Sequence, residues 1–502
     1  MSPVAHLALL SWPLVTALLF ARLRMRAALV WTILGGVLFL PDQVGYNLPA
    51  VPTIDKSLLP ALLALLFCAA AVKKPGWMGD DASRVPRTWL PVSPLGRLLV
   101  VLLLTSPFLT GLTNTDYLPD ADRPGLGIVD IGNMLYSQLE LLLVVVLGRR
   151  FLSDDEGTRA LMIALAIGML MYVPLIFYEV RMSPQLNNQI YGFVNMPWHM
   201  MTRDDGWRPL VFLKLGLMCA IFVAVGLIAA TAIARHLDDK RRTLWMVGAF
   251  ALLVTLFFMR SFGALVLGVG LVMAVLFLGK RLQLWLAAGI CSFVLVYPIM
   301  QALDIFPDET TLAAVEVVDY SRSRSLWFRL HNEDLMIEKL NERPLFGWGI
   351  WGRSRVYEDG YTTNITDSTF IIAFSQNGWW GFLGQYGLLT LPAIMIWRYR
   401  RRYQPDFVIT GLALVQCAFL LDSLSNNYPN PMLWLVAGAL LGHAERAREA
   451  ARDRRPAADR GSLRGAGTAA SSGSATGPHA VPAAPSSGTA VPAERGRTVR
   501  SW

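Results

Sequence analysis

The sequence contains few charged residues. Only 16% of its 502 residues are Asp, Glu, Lys or Arg, whereas a soluble domain usually carries about 25%. Hydrophobic residues account for 54% of the chain, and the mean hydropathy is +0.44. Because the apolar residues form long runs separated by short basic clusters, the composition indicates several membrane spans rather than one water-soluble core.

Cysteine and histidine are also scarce. The chain has four cysteines and six histidines, and each cysteine lies alone within an apolar run. An isolated buried cysteine behaves as a small hydrophobic residue, so the pattern predicts neither a disulfide framework nor a metal site. No glycine-rich nucleotide-binding loop is visible. We therefore expect no metal and no cofactor, and an ATP-driven mechanism has no support.

The basic residues are placed as in a membrane protein. A net charge of +9 could suggest a nucleic-acid partner, but the basic residues form clusters beside apolar runs, for example at 22–26, 240–242 and 398–402. Clusters of this kind face the cytoplasm by the positive-inside rule. No basic stripe interleaved with aromatic residues suggests a nucleic-acid surface, so no nucleic-acid partner is expected.

A transmembrane helix needs about 20 apolar residues. The sequence predicts an all-α polytopic membrane protein with about 12–14 transmembrane helices, its N-terminus outside and its C-terminus in the cytoplasm. The predicted spans lie near 4–21, 27–41, 57–72, 97–112, 131–148, 160–180, 210–234, 243–259, 262–279, 284–301, 370–397, 407–424 and 431–444.

Two long segments are not predicted to span the membrane. Residues 302–369 are too many for a plain connector, and we expect them to form a large, partly helical loop on the outer side of the multispan domain 1–444. Residues 445–502 are rich in Ala, Gly, Ser, Pro and Arg. This composition predicts a disordered, basic cytoplasmic tail, with a docking segment for a cytoplasmic partner or for lipid headgroups as the alternative.

The outer loop contains an amphipathic helix that ends at Pro344. By helical spacing, one face is predicted to hold Trp327, Leu330, Ile337 and Leu340. A different face is predicted to hold Arg322, Arg329 and Glu333. The glycine-rich segment 345–352 then follows, in which Trp348 and Trp351 supply amphipathic rings. It could be a tight turn packed at the membrane interface or an aromatic platform for sugar rings or a lipid chain.

Arginines predicted on the outer side oppose the usual charge bias. They are Arg208, Arg260, Arg322, Arg324, Arg329, Arg343, Arg353 and Arg355. A guanidinium group binds phosphate oxygens in a bidentate way and stays charged at physiological pH. Pairing with nearby acids would explain any single arginine, but the group as a whole predicts a site for a phosphorylated amphiphile.

The run 370–397 is longer than one crossing requires and contains several amides. Polar groups at membrane depth are costly unless they face a cavity. We therefore predict a broken or partly re-entrant helix around Gln376, Asn377 and Gln385. Asp367 precedes this run and could cap the helix or serve as a general base.

These features together resemble the O-antigen ligase and polymerase family, multispan bacterial glycosyltransferases that act on polyprenyl-linked glycans. The resemblance covers about 170–400. It is carried by an arginine shortly before Trp327, by ERPLFGWG at 342–349, by RSFGA at 260–264 and by Arg208 at the start of an earlier span. Where ligases carry a histidine–asparagine pair, this chain has Asp367 and Ser368, which favours the polymerase-like members.

The resemblance implies metal-independent transfer of a glycan from undecaprenyl diphosphate to an acceptor hydroxyl, at the periplasmic face of the bacterial inner membrane. The implied diphosphate-binding residues are Arg208, Arg322, Arg324, Arg329 and Arg260. A carboxylate, Asp367 first and Glu333 second, would take the acceptor proton. Membrane lipid and other polysaccharide assembly proteins are the further expected partners. The alternatives are a transporter or flippase of the same lipid-linked glycan and a structural scaffold that acts through the tail.

Overall fold

The computed structural model describes residues 2–47, 53–72, 88–203, 206–303, 305–317, 320–358, 361–364 and 368–453. Helices make up 76% of the structure, as an all-α membrane protein requires. Within the described residues the strands form two short antiparallel hairpins, β1 (Thr202–Arg203) with β2 (Gly206–Trp207) and β3 (Tyr357–Glu358) with β4 (Tyr361–Thr362).

Each predicted span corresponds to a helix. The helices are α1 (Pro3–Arg22), α2 (Met25–Phe39), α3 (Leu58–Val72), α4 (Pro94–Thr113), α5 (Ile128–Phe151), α6 (Asp155–Met182), α7 (Leu186–Tyr191), α8 (Gly216–His236), α9 (Lys240–Phe258), α10 (Phe262–Phe277), α11 (Lys280–Ala302), α12 (Asp308–Glu316), α13 (Tyr320–Asn341), α14 (Trp351–Ser354), α15 (Thr369–Tyr403), α16 (Phe407–Ser423) and α17 (Pro431–Asp453). Short 3-10 helices lie at Pro119–Ala121 and Trp198–Met200.

Seven of the described helices are long and apolar enough to cross a membrane, namely α1, α4, α5, α6, α8, α9 and α11. Helices α2, α3, α10 and α16 are apolar but have only 10–17 residues. The class of helical membrane protein is therefore confirmed, whereas the expected 12–14 crossings and their orientation stay predictions.

Helix α8 lies at the centre of the bundle. In its apolar window, 94% of the residues are buried, and it packs against α6, α9, α10 and α16. Elsewhere, α5 and α17 approach closely through small residues, as is common between membrane helices. A Cβ added to Gly148 would lie 2.3 Å from the carbonyl oxygen of Leu435, and one added to Gly438 would lie 2.2 Å from that of Val145.

The predicted boundary of the tail at residue 445 is wrong for its first residues. Helix α17 continues to Asp453. Glu445 lies on this helix and is buried. Its carboxylate lies 2.7 Å from a guanidinium nitrogen of Arg149, whose side chain is fully buried, and it also accepts the backbone N–H of Val92 at 2.6 Å. The rest of the predicted tail, 454–502, lies outside the described residues.

Helix α13 departs from its predicted faces at two positions. Leu330, Ile337 and Leu340 are buried, but Trp327 is 51% exposed, and its ring stacks on His331 with centroids 5.2 Å apart. Glu333, predicted on a polar face, is buried because Tyr297 of α11 donates a hydrogen bond to it at 2.9 Å. A helix of a membrane protein can thus bury a polar face when a neighbouring helix supplies the partner.

Candidate functional site

Five arginines converge on one cavity of about 450 Å³, which we call the arginine cavity. They come from β1, from the segment before α8, from the α9–α10 turn and from α13. The five are Arg203, Arg208, Arg260, Arg322 and Arg329. Four of them were predicted to bind a diphosphate, and sequence reasoning missed Arg203. The structure therefore brings together residues that lie up to 126 positions apart in the chain.

Arg208 and Arg260 are held by backbone carbonyls. Arg208 Nη2 donates to the carbonyl oxygen of Arg260 at 3.2 Å, and Arg260 Nη1 donates to that of Arg203 at 3.0 Å. Arg260 has φ +51°, a left-handed conformation that is uncommon for non-glycine residues. Gly206 leaves space for the guanidinium group of Arg260, because a Cβ at Gly206 would lie 2.3 Å from Arg260 Cζ.

The segment that carries Arg208 is anchored by a buried carboxylate. Helix α8 begins at Gly216 rather than at the predicted residue 210. In the preceding residues, Glu179 accepts the N–H groups of Leu210 at 2.9 Å and Val211 at 2.8 Å. Val211 has φ +56°, a strained value for a β-branched residue. The Glu179 carboxylate therefore holds residues 210 and 211 in a non-helical conformation, so α8 does not begin there.

Arg322 and Arg329 project from one face of α13 because they are seven residues apart. Arg329 Nη1 donates to the carbonyl oxygen of Ser425 at 2.8 Å. The guanidinium of Arg322 lies over the ring of Phe262, 4.5 Å from its centroid. These contacts tie α13 to the end of α16 and to the start of α10.

Arg324 does not share this position. It is exposed and does not belong to the lining of the arginine cavity. A residue two positions from Arg322 points to a different side of a helix, so Arg324, which the resemblance also implied as a diphosphate-binding residue, lies apart from the other four.

The two predicted proton acceptors have different outcomes. Burial raises the pKa of Glu333 to about 8. Glu333 lies outside the lining of the arginine cavity, so its position does not support a role as the general base. Asp367 lies outside the described residues, and its role stays a prediction.

Asp422 is a carboxylate that sequence reasoning missed. It lies near the end of α16 and is buried, where it accepts hydrogen bonds from Asn426 Nδ2 at 2.7 Å and from the hydroxyl of Tyr428. Asp422 lines the arginine cavity and also a second cavity. An acidic residue within a predicted span is a candidate functional residue by itself, and this signal could have found it.

The second cavity, which we call the amide cavity, has a volume of about 410 Å³ and lies between α5, α15, α16 and α17. Three buried amides on its wall form a chain: Gln385 Nε2 donates to Gln138 Oε1 at 2.9 Å, and Gln138 Nε2 donates to Asn377 Oδ1 at 3.4 Å. Asp422 and Asn426 line both cavities, so the two cavities adjoin at these residues.

Helix α15 is broken at Gly378, which has φ +60° and ψ −168°. The break confirms the interrupted helix that the amides predicted. Residues 344–349 insert there and replace the helical hydrogen bonds. Trp379 and Trp380 donate their N–H groups to the carbonyls of Pro344 and Leu345 at 2.9 and 3.0 Å. The carbonyls of Ser375 and Gln376 accept from Trp348 and Gly349, both at 2.9 Å.

The glycine-rich segment is thus a tight packed turn at Trp348. The Trp348 side chain is 3% exposed, its Nε1 donates to the carbonyl oxygen of Lys339 at 2.8 Å, and Arg343 Cζ lies 4.4 Å from its ring centroid. The interpretation of Trp348 as an open aromatic platform is therefore wrong. Trp351 is 37% exposed and does not line either cavity.

Two other arginines of the predicted outer loop have structural partners. Arg343 lies 2.7 Å from Asp116, and this hydrogen bond lowers the pKa of the Asp116 carboxyl. Arg353 is fully buried and donates to the carbonyl oxygens of Asp116 and Pro124 at 3.0 and 2.8 Å. They hold the loop before α5 rather than a ligand.

Comparisons with known protein families and with curated proteins find no match. The described residues contain no group of three or more His, Cys, Asp or Glu side chains that could hold a metal ion. The function is therefore inferred from the residues that line the two adjoining cavities.

Proposed function

We propose that the protein is a polymerase-like glycosyltransferase, related to the O-antigen ligases and polymerases. It would transfer a glycan from undecaprenyl diphosphate to an acceptor hydroxyl at the periplasmic face of the bacterial inner membrane. The observation that carries this proposal is the convergence of five arginines on a cavity within a helical membrane protein.

The arginine cavity suits a diphosphate group. Guanidinium groups offer planar pairs of donors that match phosphate oxygens, and a cavity of about 450 Å³ falls within the usual range of ligand sites. Apolar residues such as Leu267 and Leu326 also line it, as an amphiphilic ligand requires. Fixed positive charge would stabilise the diphosphate as negative charge develops on it during departure.

Asp422 is the proposed general base. In the transfer step the acceptor hydroxyl oxygen forms a bond with the anomeric carbon, and the bond from that carbon to the diphosphate oxygen breaks. The electron pair leaves with undecaprenyl diphosphate, and the hydroxyl proton passes to the Asp422 carboxylate. Asp422 fits this role because it lines the arginine cavity and the adjoining amide cavity.

The test is chain growth by the purified protein in liposomes that contain lipid-linked repeat units. The wild type should lengthen the glycan, and Arg329→Gln should reduce the rate by at least about tenfold. Arg324→Gln is the matched control, since it removes an arginine of the same helix that lies outside the cavity. It should keep near wild-type activity.

Two outcomes would contradict the proposal. Equal loss of activity in both arginine variants would mean that the cavity has no special role. No chain growth by a folded wild type, together with movement of the lipid-linked glycan across the bilayer, would identify a flippase instead.

A further inference from the structure

We propose that the amide cavity binds an uncharged sugar unit of the acceptor glycan. This inference rests on the proposed transferase function and assigns the second substrate to a place. The amide cavity adjoins the arginine cavity at Asp422 and Asn426, so a hydroxyl presented from it would face a diphosphate-linked sugar across the carboxylate.

The lining chemistry fits a sugar better than a lipid chain. Gln138, Asn377 and Gln385 are all at least nine-tenths buried and line the cavity. Each primary amide has two N–H donors and a carbonyl acceptor, and the chain between them uses only some of these. An alkyl chain against such groups would leave polar atoms without partners, which costs free energy. Sugar hydroxyl groups donate and accept, so they satisfy both kinds of atom.

The lining also disfavours an anionic ligand. Among the described residues, its charged side chains are one lysine, Lys214, and one carboxylate, Asp422, whereas five arginines line the adjoining cavity. Tyr386, Tyr428 and Trp434 contribute aromatic rings to the wall, and amphipathic rings of this kind pack against the apolar faces of ligands while their polar atoms hydrogen bond.

The helix break places the amides. In a continuous helix the carbonyl of Gln376 would bond Trp380, but here it accepts from Gly349. Gln376 and Asn377 therefore lie at the end of the first half of α15. Residues 344–349, and not the next turn of the helix, bond the carbonyls at this end. Both side chains line the amide cavity, so the inserted segment positions two residues of the amide cavity.

The test compares two inhibitors of the reconstituted protein: the repeat-unit oligosaccharide, released from its lipid by mild acid, and undecaprenyl diphosphate. Gln385→Leu and the half-buried Gln376→Leu should each raise the inhibition constant of the oligosaccharide by about tenfold, as expected for one or two lost hydrogen bonds. They should leave the inhibition constant of undecaprenyl diphosphate unchanged. Arg329→Gln should raise the inhibition constant of undecaprenyl diphosphate and leave that of the oligosaccharide unchanged. Gln189→Leu, in α7 and outside both cavities, is the control for loss of a glutamine.

The outcomes separate this inference from the proposed function. Unchanged oligosaccharide inhibition in both glutamine variants would overturn the inference while transfer by the wild type upheld the proposed function. Weaker inhibition by undecaprenyl diphosphate in the glutamine variants would assign the amide cavity to the lipid and likewise overturn it. If a folded wild type transfers nothing, calorimetric binding of the same two ligands replaces inhibition. Oligosaccharide binding by the wild type that is lost in Gln376→Leu would then support the sugar site. Equal binding by the two proteins, or no binding by the wild type, would refute it.

Discussion

Gly347 and Gly378 lie face to face, each with a positive φ, at +69° and +60°. A Cβ on Gly347 would lie 2.5 Å from the backbone nitrogen of Gly378, and one on Gly378 would lie 2.6 Å from that of Gly347. Neither residue has room for a side chain, because the inserted segment and the broken helix share hydrogen bonds at this point.

Gly378→Ala should therefore destabilise the protein. A backbone at φ +60° and ψ −168° lies in a region that is almost exclusive to glycine and costs other residues about 1–3 kcal/mol, and the steric overlap adds to this cost. We expect a lower midpoint in thermal unfolding of the detergent-solubilised protein. Gly270→Ala is the matched control, because a Cβ there meets open space within an apolar helix, and its midpoint should not fall. Equal midpoints for the two variants would contradict the close packing.

Gly206→Ala should impair the arginine cavity without unfolding the bundle. A Cβ at this position would displace the guanidinium of Arg260, whose Cζ lies 2.3 Å away. We expect weaker binding of undecaprenyl diphosphate, by about tenfold for the loss of one charge-assisted contact, with an unchanged unfolding midpoint. Titration of the ligand by calorimetry checks this, and wild-type affinity in the variant would mean that Arg260 does not bind the diphosphate.

Glu333 should make stability depend on pH. Burial raises its pKa from 4.5 to about 8, so between these values the folded protein holds a proton that the unfolded chain has released. Stability should therefore fall as pH rises through this window and level off above about pH 8. Glu333→Gln keeps an acceptor for the Tyr297 hydroxyl but does not titrate, so its unfolding midpoint should vary less with pH.

Glu338→Gln is the control for this measurement, because Glu338 is an exposed residue of the same helix. Its pH profile should follow the wild type. A wild-type profile in Glu333→Gln would show that another group causes the dependence.

Shortening the chain should be tolerated after Asp453 but not after Ala444. The longer version keeps Glu445, whose carboxylate pairs with the fully buried Arg149. Removing one partner of a buried pair costs about 3–5 kcal/mol. Size-exclusion profiles of the two truncated proteins check this. Glu445→Ala should behave like the shorter version, whereas Glu449→Ala, at an exposed position, should resemble the wild type.

The sequence predicted features that depend on local pattern. Long apolar runs located the helices, and the amides at 376, 377 and 385 predicted the break, because polar groups at membrane depth need partners. The convergence of Arg208, Arg260, Arg322 and Arg329 was predicted from their unusual placement, although no pattern gave their geometry. Helical spacing alone could have separated Arg324 from Arg322.

Other features depend on contacts between distant segments. Asp422 could have been singled out as an acid within a predicted span, but its position between the two cavities depends on contacts with distant segments. Trp348 is buried because Lys339 and Arg343 enclose it. Glu445, the first residue past the predicted end of the last span, is bonded by Arg149, almost 300 residues earlier. Such pairings cannot be read from the composition of one segment.

The insertion of residues 344–349 into α15 also bears on the order of assembly during synthesis. Helix α15 corresponds to a predicted span, and two of its N–H groups and two of its carbonyls lack partners within the helix. Each unpaired group would cost several kcal/mol in lipid. The segment that satisfies them is made about 30 residues earlier, so the ribosome delivers the partner before the break. The helix is therefore expected to integrate as a pair with its preceding loop, and deletion of 344–349 should leave α15 outside the bilayer or degraded rather than merely inactive.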